Sequence, residues 1–446
     1  MTRAAEPADS QVWPPQLLAA VRNLPDHSRL VIALSGGLDS VVLLNLAVAI
    51  HGHGSVEAVH VNHRLQACAG EMEALCRRVC DRLRVPLMVH RLEWDSGAPG
   101  SGIEEQARAR RYEFFRQILN PGDLLLMAHH GDDQAETVLF RMLRGSGPRG
   151  LAGMPVKRAL GAGHIYRPLL SFSRGLLESH ARENRLEWSE DPSNSCDRFD
   201  RNFLRLRVMP LLRERWPSLE RRLDHTAGAC RESALLADRL ADLRLGQLQD
   251  GEGRLSLGPL SELELAEQKN LLRRWVEIKG YRLPSVADWA GVIQQLVWAG
   301  EDREPQLAGD GYRLRRYRGQ LYLVPDALMV EGEQRLLPDE VLERNGWRLR
   351  LQPAADQKAP CPSLRVTGRS GGERFRPMPG GSSRPLSKWL QERAVPPWER
   401  QRLPLVYLGS GEGEALLAVG HLWQSPAFSG SAPDSGWRIV IEKDSN

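Results

Sequence analysis

The residues able to do chemistry in this 446-residue chain fall into separate blocks, and the first is Ser35-Gly36-Gly37-Leu38-Asp39-Ser40. Two adjacent glycines let backbone amides approach an anion in dihedrals that other residues avoid. A helix starting just after them adds free N–H groups and the positive end of its dipole. Ser35 and Ser40 supply hydroxyl donors. The loop therefore reads as a phosphate cradle. It has neither the spacing nor the lysine of the G-x-x-x-x-G-K-S/T loop. Asp39 belongs beside phosphate only if it holds a metal ion or an amine.

Further blocks follow. His60-Val61-Asn62-His63 closes an apolar run. Glu104, Arg108, Arg111 and Tyr112 share one helical stretch, and spacings of four and three bring the first three near one face. In His129-His130-Gly131-Asp132-Asp133-Gln134-Ala135-Glu136-Thr137, the side chains of His130, Asp133 and Thr137 fall on one helical face. A carboxylate there can complete a Mg²⁺ site with Asp39, because that ion typically takes one or two protein carboxylates plus phosphate oxygens. The competing use of Asp132 or Asp133 is to cap the helix; we expect one aspartate in each role. Glu190-Asp191-Pro192-Ser193-Asn194 precedes a basic helix with Asn202, Arg201, Arg205 and Arg207. Its arginines either grip phosphate or form a solvated face.

The elements that must position these blocks are visible as periodicity. Residues 30–34, 56–61, 86–92 and 123–130 read as buried strands, separated by helical stretches at 40–50, 70–83, 103–119 and 132–144. That alternation predicts an α/β fold with a parallel, Rossmann-like sheet. Ligands of such sheets bind at the carboxyl ends of the strands, where each block lies. The predicted organisation is a catalytic domain over 1–215 and a mostly helical middle domain over 216–330, with a hairpin at 311–325. A linker over 331–362 and a small α+β domain over 363–446 complete it.

Composition narrows the classes. Hydrophobic residues make up 41% and charged residues 26%, which excludes a disordered or collagen-like chain. Six cysteines with no C-x-x-C pair give no disulfide framework. No apolar run is long enough to span a bilayer, and no signal peptide is evident, so a cytoplasmic protein is expected. The net charge is only +4, yet residues 196–222 and 365–402 carry +4 and +6. Two local basic segments suit a polyanionic partner. Trp389 and Trp398 lie in the second; core packing is the more common use of tryptophan, base stacking the alternative. Cys68, Cys76 and Cys80 lie near His60 and His63, and Cys76 and Cys80, one helical turn apart, suit packing better than a metal.

The first loop resembles the PP-loop of ATP pyrophosphatases, which split ATP into AMP and pyrophosphate. The order of the blocks is similar to that of the tRNA(Ile)-lysidine synthase family. The matching residues are Ser35–Ser40, His60–His63, Glu104–Tyr112, Ala128–Thr137, Arg144–Gly147, Glu190–Asn194 and Arg201–Arg205. Near the C-terminus, Gly371–Pro377, Leu386–Glu392 and Val395–Trp398 resemble that family's acceptor-stem-binding domain. Departures stand at Gln66 and Ser387, away from the core chemistry.

The resemblance implies a ligase using ATP and Mg²⁺. Its substrates would be an isoleucine tRNA with a CAU anticodon and free L-lysine. ATP would adenylate the C2 oxygen of the wobble cytidine, and the lysine ε-amine would then displace AMP. It implies Asp39 and Asp133 as the metal ligands, and Arg111 and His129 near the base, with His130 beside them. Arg205 would lie near the adenylate or a tRNA phosphate. Glu136 and Glu190 are candidates for the amine, with Glu104 and Asn202 nearby. A monomer or homodimer is expected. Two rival readings are a PP-loop tRNA sulfur-transferase and a non-catalytic tRNA-binding protein.

Overall fold

The computed structural model describes residues 12–65, 69–94, 103–190, 197, 200–300, 303, 305–326, 329–338, 340–354, 360–378, 381–409, 415–429 and 435–443. The side chain of Glu104 lies outside the described set, as do Gln66, Cys68 and residues 191–196. The chain divides into two compact units, Met1–Ala237 and Asp238–Asn446.

The first unit is built on a six-stranded sheet. Its elements are α1 (Pro15–Arg22), β1 (Arg29–Ala33), α2 (Leu38–His51), β2 (Val56–Asn62), α3 (Ala69–Leu83), β3 (Leu87–Arg91), α4 (Ile103–Ile118), β4 (Asp123–Leu126) and α5 (Gly131–Leu143). There follow α6 (Pro148–Leu151), β5 (Lys157–Leu160), β6 (Gly163–Tyr166) and α7 (Arg174–Glu183). Strand order is β3-β2-β1-β4-β6-β5. All neighbours are parallel except β5, which pairs antiparallel with β6. β1 and β4 are central and apolar because both faces are covered. α2 is buried almost all round, from Leu38 to Val48, which explains a helix without a polar stripe. The apolar pattern carries β4 on to residue 130, but pairing stops at Leu126. The Met127 amide still donates to the Tyr166 carbonyl at 2.9 Å, but residues 128–130 leave the ladder, which brings His129 to the cavity and His130 to the start of the next helix. The β5–β6 hairpin is short and half-exposed, too weakly patterned to be read from sequence.

The basic stretch after residue 200 is helical, as expected, but carries a π segment. α8 (Asp200–Phe203) runs into a π-helical segment, Leu204–Val208, and then α9 (Met209–Arg215). π segments insert an extra residue into a helix and often mark functional positions. Leu204 and Met209 pack on Ala135 and Leu139 of α5. α10 (Leu219–Leu248) follows.

The second unit holds α11 (Leu257–Ser261), α12 (Leu265–Ile278) and α13 (Trp289–Trp298) around a core centred on Trp275. A four-stranded antiparallel sheet completes that core: β7 (Leu255–Ser256), β8 (Gln306–Ala308), β9 (Tyr312–Tyr317) and β10 (Gln320–Pro325). β9 and β10 are the expected hairpin. The stretch expected to be a linker contains β11 (Glu333–Leu336), β12 (Val341–Arg344) and β13 (Trp347–Pro353). β11 pairs with residues 364–367 and β13 with residues 437–443, so these strands belong to the C-terminal sheets. Their partners are distant in sequence, which is why local patterning does not show them. Trp389 and Trp398 are buried and pack in cores, the more common use of tryptophan. No described helix is long and apolar enough to cross a membrane.

Candidate functional site

A cavity of about 690 Å³ opens at the carboxyl ends of β1, β2 and β4. Its lining includes Ser35, Asp39, Ser40, His60, His63, Arg108, Arg111, His129, Asp133 and Arg201. That volume falls in the range of small-molecule sites, roughly 300–1,000 Å³.

The Ser35–Ser40 loop is held open by its own hydroxyls. The Ser35 and Gly36 amides donate to Ser40 Oγ at 3.1 and 3.2 Å, and Ser40 Oγ donates to the Gly37 carbonyl at 2.9 Å. The Gly37 amide donates to Ser35 Oγ at 3.3 Å. Neutral hydroxyls are weak partners for clustered amides, and an incoming phosphate oxygen is a stronger one. Gly36 has φ +90°, and a Cβ there would meet Cys76 Sγ at 3.2 Å. Leu38 starts α2 and packs in the core, so it anchors the loop from below. Ser189 donates its amide to the Gly36 carbonyl at 3.0 Å, which ties the segment before the exposed Glu190 to the loop.

Asp39 and Asp133 converge on His130. Its Nε2 lies 3.6 Å from Asp39 and 3.4 Å from Asp133. Burial pushes the Asp39 carboxyl above its ordinary range, and Oδ1 of Asp39 is buried with no partner. Burial alone would also raise Asp133, but the facing His130 ring, the Arg201 charge and the hydrogen bond from the His130 amide hold it below its ordinary value. Two hard oxygen donors, one orphaned, fit a Mg²⁺ ion that brings phosphate oxygens as its other ligands. No group of three or more His, Cys, Asp or Glu able to hold a metal occurs among the described residues. Any such ion therefore depends on those phosphates.

The helix cap is neither aspartate alone. His130 is the N-cap of α5: its Nδ1 accepts from the Asp133 amide at 3.4 Å, and Asp133 Oδ2 accepts from the His130 amide at 3.2 Å. Asp133 thus caps and faces the cavity at once. Asp132 turns away, accepting from the Arg174 amide at 2.8 Å and from Arg213 at 2.7 Å. Thr137 donates to the Asp133 carbonyl and does not line the cavity.

Glu136 is buried and accepts from Arg205 Nε at 2.7 Å and its terminal nitrogen at 2.8 Å. Arg201 reaches the same carboxylate at 3.4 Å, and Arg205 also reaches Asp133 at 3.2 Å. Both Glu136 oxygens therefore accept from guanidinium groups. Asn202 sits beside Arg201 on α8, half-buried and outside the cavity lining. Arg207 pairs with Asp197 on the exterior.

On the opposite wall, burial and the nearby Arg111 charge lower the His63 pKa to about 4. Burial lowers His129 to about 3. Both rings are neutral near pH 7. Arg167 donates Nε to His129 Nδ1 at 3.2 Å, so His129 carries its proton on Nε2. Sequence reasoning misses Arg167, because nothing in its spacing links it to His129. Asn62 holds the turn instead of the ligand: it bonds Glu73, the Ala69 carbonyl and the Arg64 amide. The Cys76 and Cys80 thiols are buried, and burial pushes both up to about 12, which makes them packing groups.

Asp39 Oδ1, His60 Nε2, His63 Nδ1 and Arg111 Nε are all buried without a partner, and all four residues line this one cavity. Such a cluster of orphaned donors and acceptors marks a place shaped for a polar ligand.

Comparison with known proteins agrees with the geometry. Residues 12–212 match the PP-loop domain, residues 255–322 a TilS substrate binding domain and residues 364–441 a TilS substrate C-terminal domain. A tRNA(Ile)-lysidine synthase of Serratia proteamaculans is 37% identical over 95% of this chain and 97% of its own length. One from Pseudomonas putida is 41% identical over 88% and 92%. One from Coxiella burnetii is 34% identical over 96% of each. Among solved structures, a TilS C-terminal domain aligns with 26% of this chain and 99% of its own, at 22% identity and a TM-score of 0.20.

Proposed function

Because the chain belongs to the tRNA(Ile)-lysidine synthase family, we propose that this cavity carries both half-reactions of that ligase on one cytidine. The chain is an ATP-using ligase that modifies tRNA. The observation carrying the site assignment is the set of four orphaned polar atoms in one cavity beside the Ser35–Ser40 loop.

In the first half-reaction the loop amides and hydroxyls hold the β and γ phosphates of ATP. The C2 oxygen of the wobble cytidine attacks the α phosphorus, the bond to the β-phosphate oxygen breaks, and pyrophosphate leaves. A single-stranded anticodon lets the cytidine leave its stack and enter the cavity. His129 presents its Nε2–H toward the base, with the Arg111 guanidinium beside it, so a neutral donor and a nearby cation orient the ring. Asp39 and Asp133 are the residues that would hold Mg²⁺, which when bound offsets charge on the departing pyrophosphate.

In the second half-reaction the ε-amine of lysine attacks C2, loses a proton, and AMP leaves with the former C2 oxygen. We assign the lysine ammonium to Glu190, which is exposed and follows Ser189, the residue bonded to the loop. Arg205 and Arg201, aimed by Glu136, face the negative charge that collects near Asp133.

The test is incubation with isoleucine tRNA, ATP and labelled lysine, followed by mass spectrometry of the wobble nucleoside. Lysine incorporation with release of AMP is the expected result. Incorporation of sulfur from a donor instead, with no lysine, would support the thiolation reading. The buried, undissociated Cys76 and Cys80 thiols argue against that reading.

A further inference from the structure

Four arginines of the first unit surround one tyrosine. The guanidinium carbons of Arg158, Arg108 and Arg111 lie 5.1, 5.2 and 5.8 Å from the Tyr112 ring centroid. Arg167 adds its charge to the same phenol. Burial opposes ionisation of Tyr112, yet these four cations hold its hydroxyl below the ordinary value. None of the four pairs with a carboxylate among the described residues, whereas Arg201, Arg205 and Arg213 of the same site all do. Arg167 is buried, its head spent on His129 and the Pro155 carbonyl. Arg111 keeps a buried Nε with no partner. Burial depresses the pKa of both, which is the expense of enclosing a cation without a counter-ion.

We propose that Arg108, Arg111 and Arg158 form a docking site for an RNA phosphodiester next to the target nucleotide, with Tyr112 as its floor and Arg167 as a fixed positive charge behind. The missing counter-ion is then supplied by the substrate. A phosphodiester fits better than a nucleotide phosphate for three reasons. The amides of the Ser35–Ser40 loop already offer the triphosphate its donors. The sheet order places β4 between the loop strand β1 and the β5–β6 hairpin that leads from Arg158 to Arg167. Arg108 and Arg158 are exposed, so the site is open to a chain that must continue in both directions. Arg108 and Arg111 also line the cavity, which puts the backbone contact beside the base pocket. The inference rests on the reading of that cavity as the cytidine pocket.

The experiment measures binding of an anticodon stem-loop RNA to the full chain, without ATP, across a salt series. Arg158→Gln is expected to weaken binding roughly five- to ten-fold. The slope of log K against log salt should fall by about 0.7, the value for one lost single-strand phosphate contact. An RNA with a neutral methylphosphonate at a linkage flanking the wobble nucleotide should show the same loss, and Arg158→Gln should then add nothing further. Arg158→Lys should restore the salt slope. Losses that add in full for both flanking linkages, an unchanged salt slope, or a loss of ATP affinity in place of RNA affinity would each overturn the assignment. Failure of the wild-type protein to form lysidine would instead count against the cytidine-pocket reading, while leaving the RNA-binding measurement intact.

Discussion

A methyl group at Gly36 separates the anion cradle from the rest of the site. The residue has φ +90°, where a side chain strains the backbone by about 1–3 kcal/mol. The added Cβ would also meet Cys76 Sγ at 3.2 Å and the Met72 carbonyl at 3.4 Å. Neither neighbour yields easily, since Cys76 is fully buried in the main core and Met72 offers backbone. We expect Gly36→Ala to cost about 2–3 kcal/mol in total, or about 30- to 150-fold at 1.36 kcal/mol per factor of ten. If the loop keeps its shape, the cost appears as lower folding stability. If the loop relaxes, the Ser35 and Gly36 amides turn away and the cost appears in ATP affinity. Thermal unfolding with and without ATP, together with pyrophosphate release, measures both shares. Adding Cys76→Ala removes the closest atom and should return part of the loss, leaving the backbone strain. Gly37 is the control: its φ is −75° and an added methyl would make only ordinary contacts, so Gly37→Ala should lower stability by less than about 1 kcal/mol. A Gly36→Ala protein that folds and binds ATP like the wild type would refute the reasoning.

Other expectations follow from the same geometry. Because burial raises the Asp39 pKa, its charge is held at a cost to folding, so Asp39→Asn should lower pyrophosphate release by roughly 100-fold or more while leaving the melting temperature equal or higher. Glu136→Gln should destabilise the fold by about 2 kcal/mol, below the roughly 3–5 kcal/mol of a fully buried pair because Arg205 is partly exposed. Adding Arg205→Met should recover much of that stability but not activity, as chemical denaturation and lysine transfer would show. The His63 pKa is about 4 in the folded chain and near 6.5 when unfolded, so below pH 6.5 the unfolded chain binds a proton that the folded chain refuses. Stability should therefore fall with pH between about 6.5 and 4, by up to about 1.4 kcal/mol per unit for this residue. His63→Gln should flatten that slope in denaturation curves taken at several pH values.

Most of the sheet and the phosphate cradle are legible in the sequence because both rest on local signals. Apolar runs of five residues mark β1 and β4, a Val- and Ala-rich stretch broken by Glu57 and His60 marks β2, and the paired glycines after β1 mark the loop. Helical spacing brings Arg108 and Arg111 to the cavity. The rest depends on contacts distant in sequence. Arg205 meets Glu136 across 69 residues, and the π segment that aims it has no sequence mark. Arg167 meets His129 across 38 residues. Asp132 and Asp133, adjacent and alike in type, part only because Arg213 and the Arg174 amide claim one of them. Strands β11 to β13 look like a linker because their partners lie at 364–367 and 437–443.

The claim that a cytidine carbonyl is adenylated in the cavity beside Ser35–Ser40 is tested most directly by isotope transfer. Isoleucine tRNA carrying oxygen-18 at C2 of the wobble cytidine would be incubated with ATP, lysine and the protein, and the AMP collected. The expected result is one oxygen-18 atom in the phosphate of each AMP formed. Unlabelled AMP alongside lysidine formation would contradict the account, since the C2 oxygen would then have left without ever bonding to phosphorus.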